Sequence, residues 1–310
     1  MRNILVTAIS GNVSNGILKC LQGNGDNLYG CDVYDYPVGM DKVITYWKSD
    51  FAVSEEYIPN LLEKCKEYKI THLIPVNEIE IEVISNHREE FEKCGVKLII
   101  NSKAIVDTFL DKETTVKRLQ TIDGVDVPRL FEEIPAEGNC QYIVKPRKSC
   151  GSKKIKVISS HEEWDLFENK ETYVLQEYID APEEEYTVGV FSSGVETSVI
   201  AFRRKLENGY TAFVEYVKDE RIVSLSKEIA ESINLRGYIN IQLRKKDNKY
   251  YVFEINPRIS GTVYFREMLG FSDVKWWLNL VDGVTDYSYR EKYTKAIGMR
   301  ELFEKYVILE

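Results

Sequence analysis

Tyr251-Val252-Phe253-Glu254-Ile255-Asn256-Pro257-Arg258-Ile259-Ser260-Gly261-Thr262 is an apolar run that ends with a carboxylate, an amide and a guanidinium on alternate residues. Alternate side chains of an extended chain share one face. Glu254 and Asn256 therefore point the same way, roughly 6–7 Å apart along the strand. Two hard oxygens at that spacing suit a divalent cation. Arg258 follows just past Pro257 as a fixed cationic fork, so the strand end reads as a phosphate-handling site.

Tyr238-Ile239-Asn240-Ile241-Gln242-Leu243-Arg244 alternates too, and Lys246-Asp247-Asn248-Lys249 between the two runs reads as a hairpin turn. Pairing about Asn248 sets Gln242 opposite Glu254 and Asn240 opposite Asn256. Residues directly opposite have Cβ atoms about 4.5–5.5 Å apart. Gln242, Glu254 and Asn256 then converge as candidate metal ligands. An ordinary solvated sheet face is the plain alternative. A single Glu between a neutral Gln and Asn, followed at once by Pro-Arg, argues against it.

The 310 residues allow two or three domains with ample core, and 44% hydrophobic with 29% charged residues is a soluble globular composition. Lys+Arg number 41 against 50 Asp+Glu, a net charge of −9 that disfavours nucleic acid as a partner. Six scattered cysteines form no Cys-x-x-Cys pair and read as reduced thiols. His72, His87 and His161 match no metal motif. The chain opens on a short strand with no signal-like apolar region, and no run approaches the roughly 20 residues of a membrane span. A cytoplasmic protein without membrane association is expected.

Residues 1–105 alternate strand and helix: Asn3 to Ala8, helix 14–22, Leu28 to Val33, helix 55–68, His72 to Val76, helix 78–93 and Val96 to Ile100. This rhythm predicts an α/β domain with a doubly wound parallel sheet. Its first turn, Gly11-Asn12-Val13-Ser14-Asn15-Gly16, lacks the second glycine of a dinucleotide fingerprint, which speaks against nicotinamide or flavin. Residues 106–182 follow as a linker helix, with Asp111 its N-cap, and a small unit. There the strands 141–146 and 155–158 flank the loop Arg147 to Lys154, and another strand runs from Tyr173 to Ile179. Residues 183–310 are strand-rich up to the hairpin, with helices over 223–234, 264–269 and beyond Asp273. The loop 147–154, with one glycine, two serines and four cations, could wrap phosphate oxygens.

Read in order, these segments resemble the ATP-grasp superfamily, and within it the ATP-binding halves of the carbamoyl-phosphate synthetase large subunit. The likeness is carried by Gln242 with Glu254-Ile255-Asn256-Pro257-Arg258, by Asp111-Lys112, and by Lys145-Pro146 with Gly151-Ser152-Lys153. Glu177-Tyr178-Ile179 followed by Glu185-Tyr186 completes it. The resemblance implies a pre-ATP-grasp domain (1–105), a linker and lid (106–182) and a C-terminal lobe with the metal site (183–310).

It further implies ATP held between the two β-rich lobes, with Mg²⁺ (Mn²⁺ as a substitute) on Gln242, Glu254 and Asn256. Backbone groups at Glu177 and Ile179, beside Tyr178, would pair with adenine, and Glu185 with the ribose. Lys112, Lys145, the Gly151-Ser152-Lys153 loop and an arginine (Arg203 or Arg204) would hold phosphates. Arg258 and Lys145 would be catalytic. Ser10, Gly11, Asn12, Asn77, Glu78, Arg258, Ser260, Gly261, Thr262 and Arg266 would line the acceptor pocket.

The implied reaction is ATP-dependent ligation of a small-molecule carboxylate to an amine or thiol through an acyl phosphate. A homodimer is compatible with it. The loop has a single glycine, and Gly189 stands where relatives often carry an acid. A single ATP-grasp unit without a glutaminase-like segment favours a stand-alone carboxylate ligase over carbamoyl phosphate synthesis. The alternatives are a nucleotide-binding subunit or regulator without ligase chemistry, and a small-molecule kinase on the same fold.

Overall fold

The computed structural model describes residues 1–135, 140–148 and 154–301. The N-terminal third forms a five-stranded, wholly parallel sheet. Its order across is Thr45–Lys48, Asn27–Asp32, Asn3–Val6, His72–Ile74 and Lys97–Leu98. The apolar runs expected to be strands fill its centre, as buried parallel strands do. Two local readings are corrected. Thr45–Lys48 is an additional edge strand, and the helix expected over 78–93 breaks at His87 into Glu78–Asn86 and Arg88–Lys93. At the break the His87 ring bonds the carbonyl of Val83.

Two antiparallel sheets follow. A small four-stranded one runs Leu130–Phe131, Tyr173–Glu177, Tyr142–Pro146 and Lys156–Ile158. It closes on its own core around Tyr142, Val144, Ile158, Trp164 and Leu175. The large sheet runs Lys249–Asn256, Gly237–Lys246, Glu185–Ser192, Thr197–Glu207, Tyr210–Val217 and Ile297–Met299. Linker helices Lys103–Phe109 and Lys112–Leu119 contact the outermost strand of this sheet. Ile105, Phe109 and Leu119 join its core.

The parallel domain is bolted to the large sheet by one continuous core, which runs from Ile4, Val6 and Ile17 to Phe191, Tyr238, Val263 and Trp277. Asn101, wholly buried, donates to the carbonyls of Tyr238 at 2.7 Å and Pro257 at 2.9 Å. It thereby ties the end of the N-terminal domain to both strands of the hairpin. Gly237 (φ +138) makes this approach feasible, since a Cβ there would lie 2.8 Å from the Trp277 ring. Among the described residues no helix is long and apolar enough to cross a membrane, and the five described cysteines are unpaired.

Candidate active site

The hairpin places Gln242 opposite Glu254 and Asn240 opposite Asn256. The route to that register differs from simple symmetry. Lys246 pairs with Lys249 around a two-residue turn in which Asp247 and Asn248 both have positive φ (48° and 62°). That is the conformation Asn and Asp tolerate best among residues with a Cβ. Such a turn alone would set Gln242 against Phe253. A bulge between Gln242/Leu243 and the facing strand adds the one residue that turns Glu254 to the Gln242 face.

The neighbouring strand extends this face, with Thr187 opposite Gln242 and Glu185 opposite Arg244. Arg204 binds Glu185 Oε1 at 2.8 Å through Nη2 and also donates to Gln242 Oε1 at 2.9 Å. Arg244 binds Glu185 Oε2 at 2.8 Å and the Ile179 carbonyl at 2.9 Å. Burial works against a charge on Glu185, but the two guanidiniums outweigh it and hold the carboxyl below its ordinary range. Of the two candidate arginines, Arg204 faces inward. Arg203 turns outward to Glu184 and Glu215.

Lys145, 4% exposed, comes from the small sheet and lies 5.5 Å from the Phe253 ring. Burial pushes its ammonium down to about 8, with Lys112 and Arg244 acting the same way and Glu254 opposing. Lys112 is buried at the first turn of its helix, whose N-cap Asp111 accepts from the Glu113 and Thr114 N–H groups. Arg147 braces that cap through its Nε bond to Asp111 at 2.9 Å.

Between the small and the large sheet lies a cavity of ≈ 280 Å³. Ile143, Ile155, Val157 and Leu206 line it together with Lys145, Glu185, Gln242 and Glu254. It therefore joins apolar walls to a charged region, as a nucleotide requires. A larger cleft of ≈ 770 Å³ around Arg2, His72, Lys97 and Asp282 contains none of the candidate site residues. Gln176 also lines the smaller cavity, and its Oε1 is buried without a hydrogen-bond partner. An orphaned acceptor beside apolar walls fits a base with an exocyclic amine.

The hinge backbone is partly committed: the Glu177 N–H bonds Arg129 O, the Tyr178 N–H bonds Gln141 O, and Ile179 O receives Arg244. As a donor set for Mg²⁺, Glu254 and Asn256 supply two oxygens on one face. Gln242 already accepts from Arg204 and can offer only its second lone pair. Hard oxygen donors of this kind fit that ion.

Arg258 lies past the strand and donates from Nη2 to Glu78 Oε1 at 2.8 Å. Glu78 opens its helix at the carboxyl end of the parallel sheet, the edge where open α/β sheets bind ligands. Asn77, Ser10, Gly11 and Asn12 share that edge. Asn77 caps the helix, the Ser10 N–H bonds Asp32, and Gly11 precedes Asn12 at a helix start. Gly261 borders open space. Arg266, Ser260 and Thr262 do not meet the expectation of an acceptor lining. Arg266 is 0% exposed, paired with Asp273 and bonded to both hydroxyls, so it belongs to the core. Gly151, Ser152 and Lys153 lie outside the described residues.

Arg244, Gln176 and Phe253 were not singled out from the sequence. Arg244 carried a signal: it stands two residues beyond Gln242 and so on the same face.

Residues 109–262 match the ATP-grasp domain family, and residues 50–99 match the N-terminal domain of PylC-like proteins. The chain is 24% identical over 246 residues to tyramine–L-glutamate ligase of Methanocaldococcus jannaschii, spanning 73% of this chain and 72% of that one. It is 23% identical over 199 residues to the carbamoyl phosphate synthase large chain of Pseudomonas putida. That match spans 56% of this chain but only 18% of the synthase. Among solved structures, a biotin carboxylase domain dimer of Hydrogenobacter thermophilus 2-oxoglutarate carboxylase, in complex with MgADP, ADP and bicarbonate, superposes with a TM-score of 0.71. The sequences are 14% identical, and the overlap covers 94% of this chain and 70% of that one.

Proposed function

We propose, for a chain that belongs to the ATP-grasp ligase family, an ATP- and Mg²⁺-dependent ligase that joins a small-molecule carboxylate to an amine or thiol through an acyl phosphate. The observation that carries this reading is the bulged hairpin. It sets Glu254 opposite Gln242, with Asn256 on the same face and Arg258 just beyond. Bound there, Mg²⁺ would offset the charge on the transferring phosphoryl group.

The chain's own groups do the rest. Lys145 and Lys112 hold phosphate oxygens. Gln176 accepts from the base amine, and Glu185, steadied by Arg204 and Arg244, meets the ribose. Arg258 stabilises the charge on the acyl phosphate. A regulator without chemistry needs no Arg258 beyond two metal ligands, and a kinase would leave a phosphate ester.

The test is ADP release with Mg-ATP over a panel of carboxylates, L-glutamate and bicarbonate first, with and without hydroxylamine. The expected result is carboxylate-dependent ADP release that EDTA abolishes and that yields a hydroxamate. A phosphorylated product that resists hydroxylamine would favour the kinase, and ADP release indifferent to every carboxylate would favour the regulator.

Lys145 adds a pH dependence. Phosphate prefers the protonated ammonium, and in the free protein that form is lost above about 8. MgADP binding should therefore weaken about tenfold between pH 8 and pH 9.5. Calorimetry across that range checks it. A flat profile that Lys145→Arg leaves unaltered would remove Lys145 from the phosphate site.

A further inference from the structure

An amine in neutral water is an ammonium ion, with no lone pair for attack on an acyl carbon. Something at the junction of the acyl phosphate and the acceptor must take its proton. The face proposed for Mg²⁺ is a poor candidate, because its carboxylate would be committed to the bound cation. Among the described histidines, His72 bonds Asp282 at the far edge of the parallel sheet, His87 bonds a helix carbonyl, and His161 is exposed at the start of the helix His161–Asp165, beside Glu133 and Asp165. Glu80 is buried under the Thr7 and Tyr57 hydroxyls.

Glu78 differs from these. It meets Arg258 with both side chains largely buried (14% and 17% exposed). The contact is lopsided: Arg258 Nε at 3.2 Å and Nη2 at 2.8 Å both fall on Oε1. Among the described residues none donates to Oε2. The helix start that carries Glu78 is fixed by a capping box, in which Asn77 takes the Ile79 N–H at 2.9 Å and Glu80 takes the Asn77 N–H at 3.2 Å. Among the described residues the carboxylate is thus pinned by one oxygen and without a donor at the other, beside the arginine proposed to hold the acyl phosphate.

We propose that Glu78 is the catalytic base of the second half-reaction and that the acceptor is a primary amine arriving as its ammonium ion, not a thiol. This rests on the ligase reading above. Glu78 Oε2 takes one proton from the ammonium, and the freed lone pair forms the C–N bond. The acyl C–O bond to phosphorus breaks, and inorganic phosphate leaves with the electron pair and accepts the second amine proton. A carboxylate at this point attracts an ammonium and disfavours the thiolate that thioester formation needs.

The test sets two nitrogen nucleophiles side by side on the full chain, with the carboxylate that gives the highest hydroxamate yield. Hydroxylamine is largely uncharged at neutral pH and needs no base, whereas methylamine arrives protonated. In Glu78→Gln, which keeps an oxygen for Arg258, the ratio of methylamide to hydroxamate formation at pH 7 should fall about 100-fold, so that any shared loss through Arg258 cancels. Raising the pH should recover the amide, and Glu78→Asp should retain more of it than Glu78→Gln.

Equal loss of both products would mean that Glu78 only holds Arg258, and undiminished amide formation would exclude it as the base. Faster thioester than amide formation with 2-mercaptoethanol would overturn the amine assignment. A wild type that gives no hydroxamate with any carboxylate would instead reject the ligase reading itself.

Discussion

Glu254→Gln is expected to lower carboxylate-dependent ADP release by about a thousandfold while leaving the fold intact. The substitution is isosteric and sits at the open end of a hairpin whose register is set elsewhere, by the Asp247-Asn248 turn and the bulge at Phe253. What it removes is a full negative charge from the face proposed to hold Mg²⁺. Mg²⁺ demands near-ideal oxygen geometry and loses its water reluctantly, so a neutral amide is a poor exchange for a carboxylate.

The same change reaches Lys145. Glu254 opposes the burial that already pushes this lysine down to about 8, so without it the ammonium loses protons at a still lower pH. Ground-state binding of MgADP should weaken too, but less than turnover, since charge builds on the phosphoryl group during transfer. Steady-state kinetics and calorimetry measure the two effects, with circular dichroism and thermal unfolding as the check on folding. Near-normal turnover would falsify the assignment of Glu254.

Much of this site was legible because a strand repeats every two residues. Glu254 with Asn256, and Gln242 with Asn240, could be put on shared faces without knowledge of anything distant. The pairing of Gln242 with Glu254 also came from sequence, although pairing about Asn248 stands in for two local events, a tight turn and a compensating bulge. Arg244 obeys the same period and was there to be read.

Other parts depend on contacts that no period encodes. Whether Arg203 or Arg204 faces the cavity follows from register with Glu185, which the four-residue connection from Ser192 to Thr197 sets. The Gln176 orphan oxygen belongs to a residue that lines a cavity shared by the small and the large sheet, which no local pattern announces. The strand Thr45–Lys48 carried β-branched and aromatic residues, yet its surrounding turns masked it. Arg266 was misplaced for a related reason. An arginine just beyond a cleft motif looks like a ligand until its partner, Asp273, returns to it around the turn after its helix.

That buried pair is expected to carry a large stability effect. Arg266 and Asp273 are 0% and 1% exposed, with Nη2 and Oδ2 2.6 Å apart. Arg266 also donates to Ser260 at 2.8 Å and Thr262 at 2.7 Å, and it lies 4.6 Å from the centre of the Tyr238 ring. Arg266→Met keeps much of the volume and removes the charge. Asp273 is then left without its counter-ion, and the expected loss is about 3–5 kcal/mol, on the order of 10 °C in Tm.

The deficit should depend on pH. Burial already pushes the Asp273 carboxyl above its ordinary range despite the guanidinium facing it. Removing Arg266 raises it further, so the folded variant holds a proton that the unfolded chain gives up. A group raised in the folded state stabilises below its unfolded value and loses that contribution as the pH rises through the folded value. The variant should therefore lie closest to wild type near pH 4 and fall furthest behind toward neutrality. Arg266→Met with Asp273→Leu removes both charges and should recover most of the loss. Thermal unfolding of the three proteins between pH 4 and 8 decides it. If the double variant is no more stable than the single one, the cost belongs to the lost bonds to Ser260 and Thr262, not to the stranded carboxylate.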